Sequence, residues 1–178
     1  MAGGKRPLPC GDFQWRNNSK KICDEQCDID VFVFEGGVNV NALQIPVTDM
    51  ASQERKTLED FKGEALIVTF WVSWCPDCRR DLEQKRMLHE AMTDKGLNMV
   101  MVHVPAREAD PEAVHTFLHE HPLPFQLLED NGRELFDAYE CQTLPTTLVL
   151  NKRGETEAKF RDKASIQDMM PAVANAMM

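Results

Sequence analysis

Continuous apolar runs alternate along the chain with segments in which apolar residues recur at helical spacing. Residues Ala65–Trp71 and 97–104 are such runs, and both are typical of strands buried on both faces of a sheet. Between them, a helix is predicted to begin close to Cys75 and to end near Gly96. This alternation of strand and helix predicts an α/β fold.

The second half of the chain continues the pattern with shorter elements. Asp110 followed by Pro111 predicts a helix start, because aspartate is a good N-cap and proline fits the first helical position. The other predicted elements are a helical turn at 57–63, strands at 125–128, 146–150 and 157–161, a helix at 134–139, and a last helix capped by Ser165 with Ile166, Met169, Met170 and Val173 facing inward. Together they predict a central mixed β-sheet flanked by helices.

The N-terminal residues show no clear period. Residues 1–30 are polar and contain proline and glycine, so we expect an irregular arm there. Residues 31–34 and 38–40 are short apolar stretches on either side of a Glu-Gly-Gly turn, which is typical of a small hairpin. We therefore divide the chain into an arm, 1–30, and one domain, 31–178.

The balance of charge narrows the possible functions. Acidic residues outnumber basic ones by 29 to 20, and this net charge of -9 argues against a general nucleic-acid binder because phosphates would be repelled. No apolar run is long enough to span a membrane, and no apolar segment follows Lys5 and Arg6 as it would in a signal peptide. From the sequence as written we expect no signal, no anchor and a cytoplasmic location.

Cys75 and Cys78 lie where the first buried strand gives way to a helix. The unsatisfied N–H groups and the dipole at a helix start stabilise a thiolate, so Cys75 is predicted to be an exposed nucleophile. Cys78 lies one turn further in, where it can resolve a mixed disulfide. Two alternatives stay open: half of a zinc site, although no second C-x2-C exists, or two structural thiols.

Four segments together resemble the TlpA/ResA-like branch of the thioredoxin superfamily. They are 58–63 (LEDFKG), 68–79 (VTFWVSWCPDCR), and a downstream pair, 135–139 (LFDAY) and 144–151 (LPTTLVLN). The resemblance covers about residues 31–178. It implies a thioredoxin-like fold with an N-terminal extension and a thiol–disulfide oxidoreductase that acts, as a reductant, on protein disulfides and needs no cofactor. It also implies an upstream redox partner and an extracytoplasmic bacterial setting. We expect a monomer.

The resemblance assigns roles to residues around the cysteine pair. It implies that Pro145 is a cis-proline facing the pair and that the backbone at Leu144 pairs with the substrate chain. Trp74 and Pro76 would contact substrate beside the nucleophile. Taken alone, Pro145 could be a plain edge-strand residue and Trp74 a packed strand-end aromatic.

Asp81 matches an acidic residue of the family just after the second cysteine. It could accept the proton of the resolving thiol, or it could simply be an acid favoured by the dipole at a helix start. Thr69 occupies the strand position where thioredoxins proper carry a buried aspartate, which leaves Asp81 as the nearby acid.

The remaining cysteines and the histidines carry weaker signals. Cys141 is predicted to be a small buried apolar residue, although it could approach the active site. Cys10, Cys23 and Cys27 could form a disulfide, bind a metal weakly or stay free, and we assign them no role. The histidines at 115, 119 and 121 favour a solvated helix face over a metal cluster, so no metal site is predicted.

Two other functions remain to be tested. A thiol peroxidase would need a threonine three residues before its cysteine, and Val72 stands there. A redox-inert binding module with the same fold would not need the intact pair of Cys75 and Cys78.

Overall fold

The computed structural model describes residues 40–92 and 95–178, apart from the side chains of Val40 and Asn41. The expected arm, 1–30, and the first strand of the expected hairpin, 31–34, lie outside this part of the chain. The prediction that 38–40 forms the second strand of the hairpin is wrong at Val40, which begins a short helix instead.

In the described residues, seven strands form one sheet, and the prediction that the sheet is mixed is confirmed. In chain order they are β1 (Val47–Asp49), β2 (Arg55–Lys56), β3 (Ala65–Trp71), β4 (Leu97–His103), β5 (Gln126–Glu129), β6 (Thr146–Leu150) and β7 (Thr156–Phe160). Their order across the sheet is β2-β1-β5-β4-β3-β6-β7. Strands β3, β4 and β5 run parallel, and the other pairings are antiparallel.

Five helices accompany the sheet in the described residues. They are α1 (Val40–Leu43), α2 (Pro76–Met92), α3 (Pro111–Glu120), α4 (Glu134–Ala138) and α5 (Ile166–Met177), with 3-10 turns at Leu58–Phe61 and Pro105–Arg107. The predicted caps are confirmed: the carboxylate of Asp110 accepts a hydrogen bond from the N–H of Glu112, and the Ser165 side chain begins α5 in the same way. Met169 and Val173 on α5 are fully buried.

The register of the sheet brings three loops together at one edge. Trp71 at the end of β3 lies beside His103 at the end of the parallel strand β4, and Phe70 lies opposite Thr146 at the start of the antiparallel strand β6. The loops that follow β3 and β4 and the loop that precedes β6 therefore meet at this edge. Cys75 is in the first of these loops, Cys78 follows it in the first turn of α2, and Pro145 is in the last loop.

Candidate active site

Cys75 is the residue immediately before α2, and Cys78 lies in the first turn of that helix. The backbone N–H of Cys78 donates to Cys75 Sγ at 3.2 Å, which is the contact that a helix start offers to a thiolate. The Cys75 thiol also faces the carbonyl oxygen of Leu144 at 3.8 Å. Both thiols are free in this structure.

The two cysteines differ in what surrounds them. Cys75 keeps 7% of its surface exposed and is more enclosed than the sequence led us to expect, whereas Cys78 is fully buried. Burial raises the pKa of Cys78 strongly, and the neighbouring Cys75 thiol and the charge of Asp81 raise it further. The Cys78 thiol therefore stays protonated until a neighbouring group can take its proton.

The Leu144–Pro145 peptide bond is cis, as the family resemblance implies. Pro145 is buried and Leu144 is half-buried. The carbonyl oxygen just upstream, on Thr143, accepts a hydrogen bond from the hydroxyl of Thr146 at 2.7 Å, which holds the loop against the first residue of β6. The structure thus places Leu144 beside the nucleophile, where the substrate-pairing role predicted for it can be tested.

Trp74 and Pro76 form an exposed apolar surface on either side of Cys75. Trp74 is 52% exposed, so it is not a packed strand-end residue, although its indole N–H donates to the carbonyl of Arg107 at 2.9 Å. Pro76 is exposed at the first position of α2. This surface fits the substrate contact predicted for both residues.

Asp81 forms an ion pair with a residue that the sequence analysis did not identify. Lys85, one turn further along α2, is fully buried and bonds both to the carboxylate of Asp81 and, at 2.8 Å, to the hydroxyl of Thr147 on β6. That hydroxyl lies 3.4 Å from the hydroxyl of Thr69. Burial lowers the pKa of Lys85, and the attraction of Asp81 opposes this change. The i,i+4 spacing of Asp81 and Lys85 in the sequence is compatible with an ion pair, but acid–base pairs at this spacing usually lie on solvated helix faces.

A second polar network surrounds the segment before the nucleophile. The backbone N–H and the hydroxyl of Ser73 donate to the carboxylate of Glu108 at 2.8 and 2.9 Å, and the carbonyl of Ser73 accepts from Arg79 Nε at 2.6 Å. His103 Nε2 donates to the same carboxylate at 3.0 Å. None of these contacts was predicted, because their partners come from different loops.

Cys141 and the histidines of α3 lie outside these contacts. Cys141 is 5% exposed, and burial raises its pKa to about 12, so the prediction of a small buried apolar residue is confirmed. Cys10, Cys23 and Cys27 lie outside the described residues. His115 and His119 are exposed on α3, and within 40–92 and 95–178 no three histidine, cysteine or acidic side chains gather as metal ligands would.

Comparison with known proteins agrees with this geometry. Residues 38–159 match the AhpC/TSA family. Sporulation thiol-disulfide oxidoreductase A of Bacillus subtilis is 33% identical over 96 residues, which cover 54% of this chain and 58% of that protein. Thiol-disulfide oxidoreductase ResA of Bacillus thuringiensis is 30% identical over 123 residues, which cover 69% of each chain.

A solved structure extends the likeness to the fold. A secreted disulfide oxidoreductase of Mycobacterium tuberculosis superimposes with a TM-score of 0.62 at 20% identity, over 76% of this chain and 98% of that one. The chain spans less than two thirds of the length of several curated relatives, including 58% of the Bacillus subtilis protein. With a matched family, a thioredoxin-like fold and a cysteine pair at the start of α2, the chain belongs to the AhpC/TSA family and, within it, to the ResA-like thiol–disulfide oxidoreductases.

Proposed function

We propose that this protein is a thiol–disulfide oxidoreductase that reduces disulfides in protein substrates. The observation that carries the proposal is the contact of 3.2 Å between the N–H of Cys78 and Cys75 Sγ at the start of α2. This contact places a sulfur nucleophile and a second thiol within one helical turn of each other. A pair in this position can pass two electrons to a substrate disulfide.

The reaction proceeds in two exchanges. The Cys75 thiolate attacks one sulfur of the substrate disulfide, so that a Cys75–substrate disulfide forms and the other substrate sulfur leaves as a thiolate, which takes up a proton. The Cys78 thiolate then attacks Cys75 Sγ. The Cys75–Cys78 disulfide forms, the second substrate thiol leaves, and the substrate has gained two electrons and two protons. A dithiol protein upstream returns the pair to its reduced state.

Substrate binds on the surface around the nucleophile. Trp74 and Pro76 supply exposed apolar area, and the carbonyl of Leu144, next to the buried Pro145, lies 3.8 Å from the Cys75 sulfur. An extended substrate chain that pairs with this backbone would present its disulfide to Cys75. Main-chain pairing tolerates many sequences, so this mode suits an enzyme with several protein substrates.

Asp81 is the proton acceptor for the second exchange. Cys78 is fully buried with a raised pKa, so its proton needs a nearby base before it can attack. Asp81 lies one helical turn from Cys78 and is itself nearly buried, and its charge acts on the Cys78 thiol. Lys85 balances that charge while Asp81 is ionised.

An extracytoplasmic bacterial setting follows from the same proposal. The Mycobacterium tuberculosis enzyme that shares the fold is a secreted protein. In the part of the chain that the structure describes, no helix has both the length and the apolar character needed to cross a membrane.

Reduction of insulin by dithiothreitol tests the proposed activity. The protein should accelerate the precipitation of reduced insulin well above the rate with dithiothreitol alone, and Cys75→Ser should abolish the acceleration. Cys141→Ser is the matched control and should keep the full rate, since the Cys141 thiol is buried against the carbonyl of Tyr139. No acceleration by the wild-type protein would favour a redox-inert binding module. Faster turnover with hydrogen peroxide than with insulin would favour a thiol peroxidase.

A further inference from the structure

Ser73, two residues before the nucleophile, has every polar group bonded within the fold. Its backbone N–H and its hydroxyl donate to the two oxygens of one carboxylate, that of Glu108. Its carbonyl accepts from the guanidinium of Arg79 in the first turn of α2. Ser73 itself is 1% exposed. The segment that leads from β3 into the active site is therefore fixed by side chains from two other elements.

The Glu108 carboxylate is enclosed and fully occupied. Only 1% of its side chain is exposed, and besides Ser73 it accepts from His103 Nε2 at 3.0 Å and from the backbone N–H of Ala109 at 3.2 Å. Burial opposes ionisation of this carboxyl, but the hydrogen bonds outweigh burial and hold the pKa of Glu108 below its usual range. His103 Nδ1 in turn lies 3.3 Å from Glu129. A carboxylate with these contacts has no oxygen left for a substrate or a metal ion, so its role is to hold Ser73.

The 3-10 turn Pro105–Arg107, which precedes Glu108, also holds Trp74. The carbonyl of Arg107, directly before Glu108, accepts the indole N–H of Trp74. The backbone N–H of Ala106 donates to Gly132 at 3.1 Å, which ties the turn to the loop after β5. The turn after β4 thus holds two consecutive residues, Ser73 and Trp74, and Cys75 follows them immediately.

We infer that Glu108 is a positioning residue for disulfide exchange, which fixes Ser73 and Trp74 so that Cys75 meets the N–H groups of α2 and the substrate surface. This inference rests on the proposed function. A displacement of about 1 Å at a reacting group can cost on the order of 10²-fold in rate, so the hydrogen bonds to Ser73 have a direct effect on catalysis.

Two substitutions separate this role from general stability. Glu108→Gln keeps the size of the side chain, but its amide nitrogen cannot accept, so one of the two bonds from Ser73 is lost. Ser73→Ala removes only the hydroxyl bond and keeps the backbone one. Glu112→Gln, an exposed glutamate on α3, is the matched control. Insulin reduction is measured as kcat/KM, and the Cys75–Cys78 couple is poised against glutathione.

We expect kcat/KM to fall about 10- to 100-fold in Glu108→Gln and about 3- to 10-fold in Ser73→Ala, with Glu112→Gln unchanged. The equilibrium constant against glutathione should move up to about tenfold towards a more reducing couple, or ~30 mV, since Cys75 loses its placement at the helix start. The potential separates this effect from a loss of stability. A variant that is only partly unfolded would show a lower rate, but its folded molecules would keep the wild-type potential. The double variant should lose less than the product of the single losses, because both substitutions break the same contact.

An active wild-type protein whose Glu108→Gln variant keeps both its rate and its potential would overturn the inference alone. An inactive wild-type protein would instead overturn the proposed function. If Glu108→Gln does not fold, Ser73→Ala decides: a fall in rate with a shifted potential supports the inference, and an unchanged rate and potential overturn it.

Discussion

Cys75 and Cys141 show that exposure alone does not identify a reactive thiol. They are 7% and 5% exposed, and both are close to a backbone carbonyl at 3.8 Å. The difference lies in the donor: Cys75 Sγ accepts from the N–H of Cys78. For Cys141, burial instead raises the pKa to about 12. The start of a helix, and not access to solvent, therefore separates the nucleophile from a structural cysteine.

Alkylation of the reduced protein should follow this difference. At neutral pH, iodoacetamide should modify Cys75 before Cys141, because a pKa of about 12 leaves the Cys141 thiolate about 10³-fold scarcer than that of an ordinary thiol. Cys78, which is fully buried, should react only after the protein unfolds. Peptide mapping by mass spectrometry over a time course measures each rate. Modification of Cys141 as fast as Cys75 would show that helix placement does not control reactivity here.

The placement of the two cysteines could be predicted from the sequence because it depends on local structure. The apolar run of β3 and the helical pattern of α2 are both visible in the sequence, and Cys75 lies between them, directly before the helix. Glu108 could not be predicted, because it meets Ser73 across 35 residues of chain and only the sheet brings the two together. Lys85 was missed for a different reason: a lysine on a helix is usually solvated, and the pattern does not show that Thr147 covers it.

At the scale of elements, α2 is joined to the sheet by a buried hydrogen bond from Lys85, which also forms an ion pair with Asp81 within the helix. Lys85 has no exposed surface, and it connects Asp81 on α2 to Thr147 on β6. A buried pair adds little net stability, since desolvation offsets the attraction, but the loss of one partner leaves an uncompensated charge. The hydrogen bond from Lys85 to Thr147 therefore fixes where α2 lies on the sheet, and Asp81 compensates the buried charge of Lys85.

The stability losses from substituting Asp81 and Lys85 should not be additive. Lys85→Met should lower the free energy of unfolding by about 3–5 kcal/mol, and the double variant Asp81→Asn/Lys85→Met should lose less than the sum of the two single losses. Urea unfolding measures these differences. Arg86→Met is the matched control, because Arg86 pairs with Glu83 on the exposed face of the same helix and should cost less than about 1 kcal/mol. Equal costs for Lys85→Met and Arg86→Met would contradict the structural role of the pair.

Element length decides which parts of the fold could be predicted. The long strand β3 appears in the sequence as a continuous apolar run, and the long helix α2 as apolar residues at helical spacing. Strands β1 and β2 have three and two residues and were not predicted, because such short segments show no period and form through pairing with each other and with β5. The predicted partner strand at 157–161 is observed at Thr156–Phe160, where its register against β6 shifts between Val149 and Leu150.

At the scale of the whole molecule, the site depends on the topology of the sheet. The Leu144 carbonyl and the Cys75 thiol are 69 residues apart in sequence, yet they meet because β6 begins at the edge where β3 ends. A second buried carboxylate lies on β1, next to the edge strand β2. Asp49 on β1 is 7% exposed and accepts from the N–H groups of Ala51 and Ser52, both at 3.0 Å, and from Gln126 at 2.7 Å.

These bonds make the stability of the fold depend on pH. The N–H of Ser52 contributes most to holding the pKa of Asp49 below its ordinary value of 3.8, while burial opposes it. A carboxyl with a lowered pKa in the folded state stabilises the fold above its unfolded value and loses that contribution as the pH falls through the folded value. Asp49→Asn should therefore destabilise the protein most above pH 3.8, and the difference should shrink as the pH is lowered.

Urea unfolding of Asp49→Asn and wild type over a series of acidic pH values measures this trend. Asp162→Asn, at an exposed aspartate, serves as the control and should show no such convergence. A difference between Asp49→Asn and wild type that stays constant at every pH would mean that ionisation of Asp49 does not contribute to folding.

Trapping a mixed disulfide tests the roles of Cys75 and Cys78 most directly. In Cys78→Ser the first exchange can occur but the second cannot, so incubation with a protein disulfide such as insulin should leave a covalent adduct on a non-reducing gel. Mass spectrometry should locate the linkage at Cys75, and the adduct should be absent from the double variant Cys75→Ser/Cys78→Ser. An adduct linked at Cys141, an equal yield from Cys75→Ser, or no adduct at all would contradict a mechanism in which Cys75 attacks and Cys78 resolves.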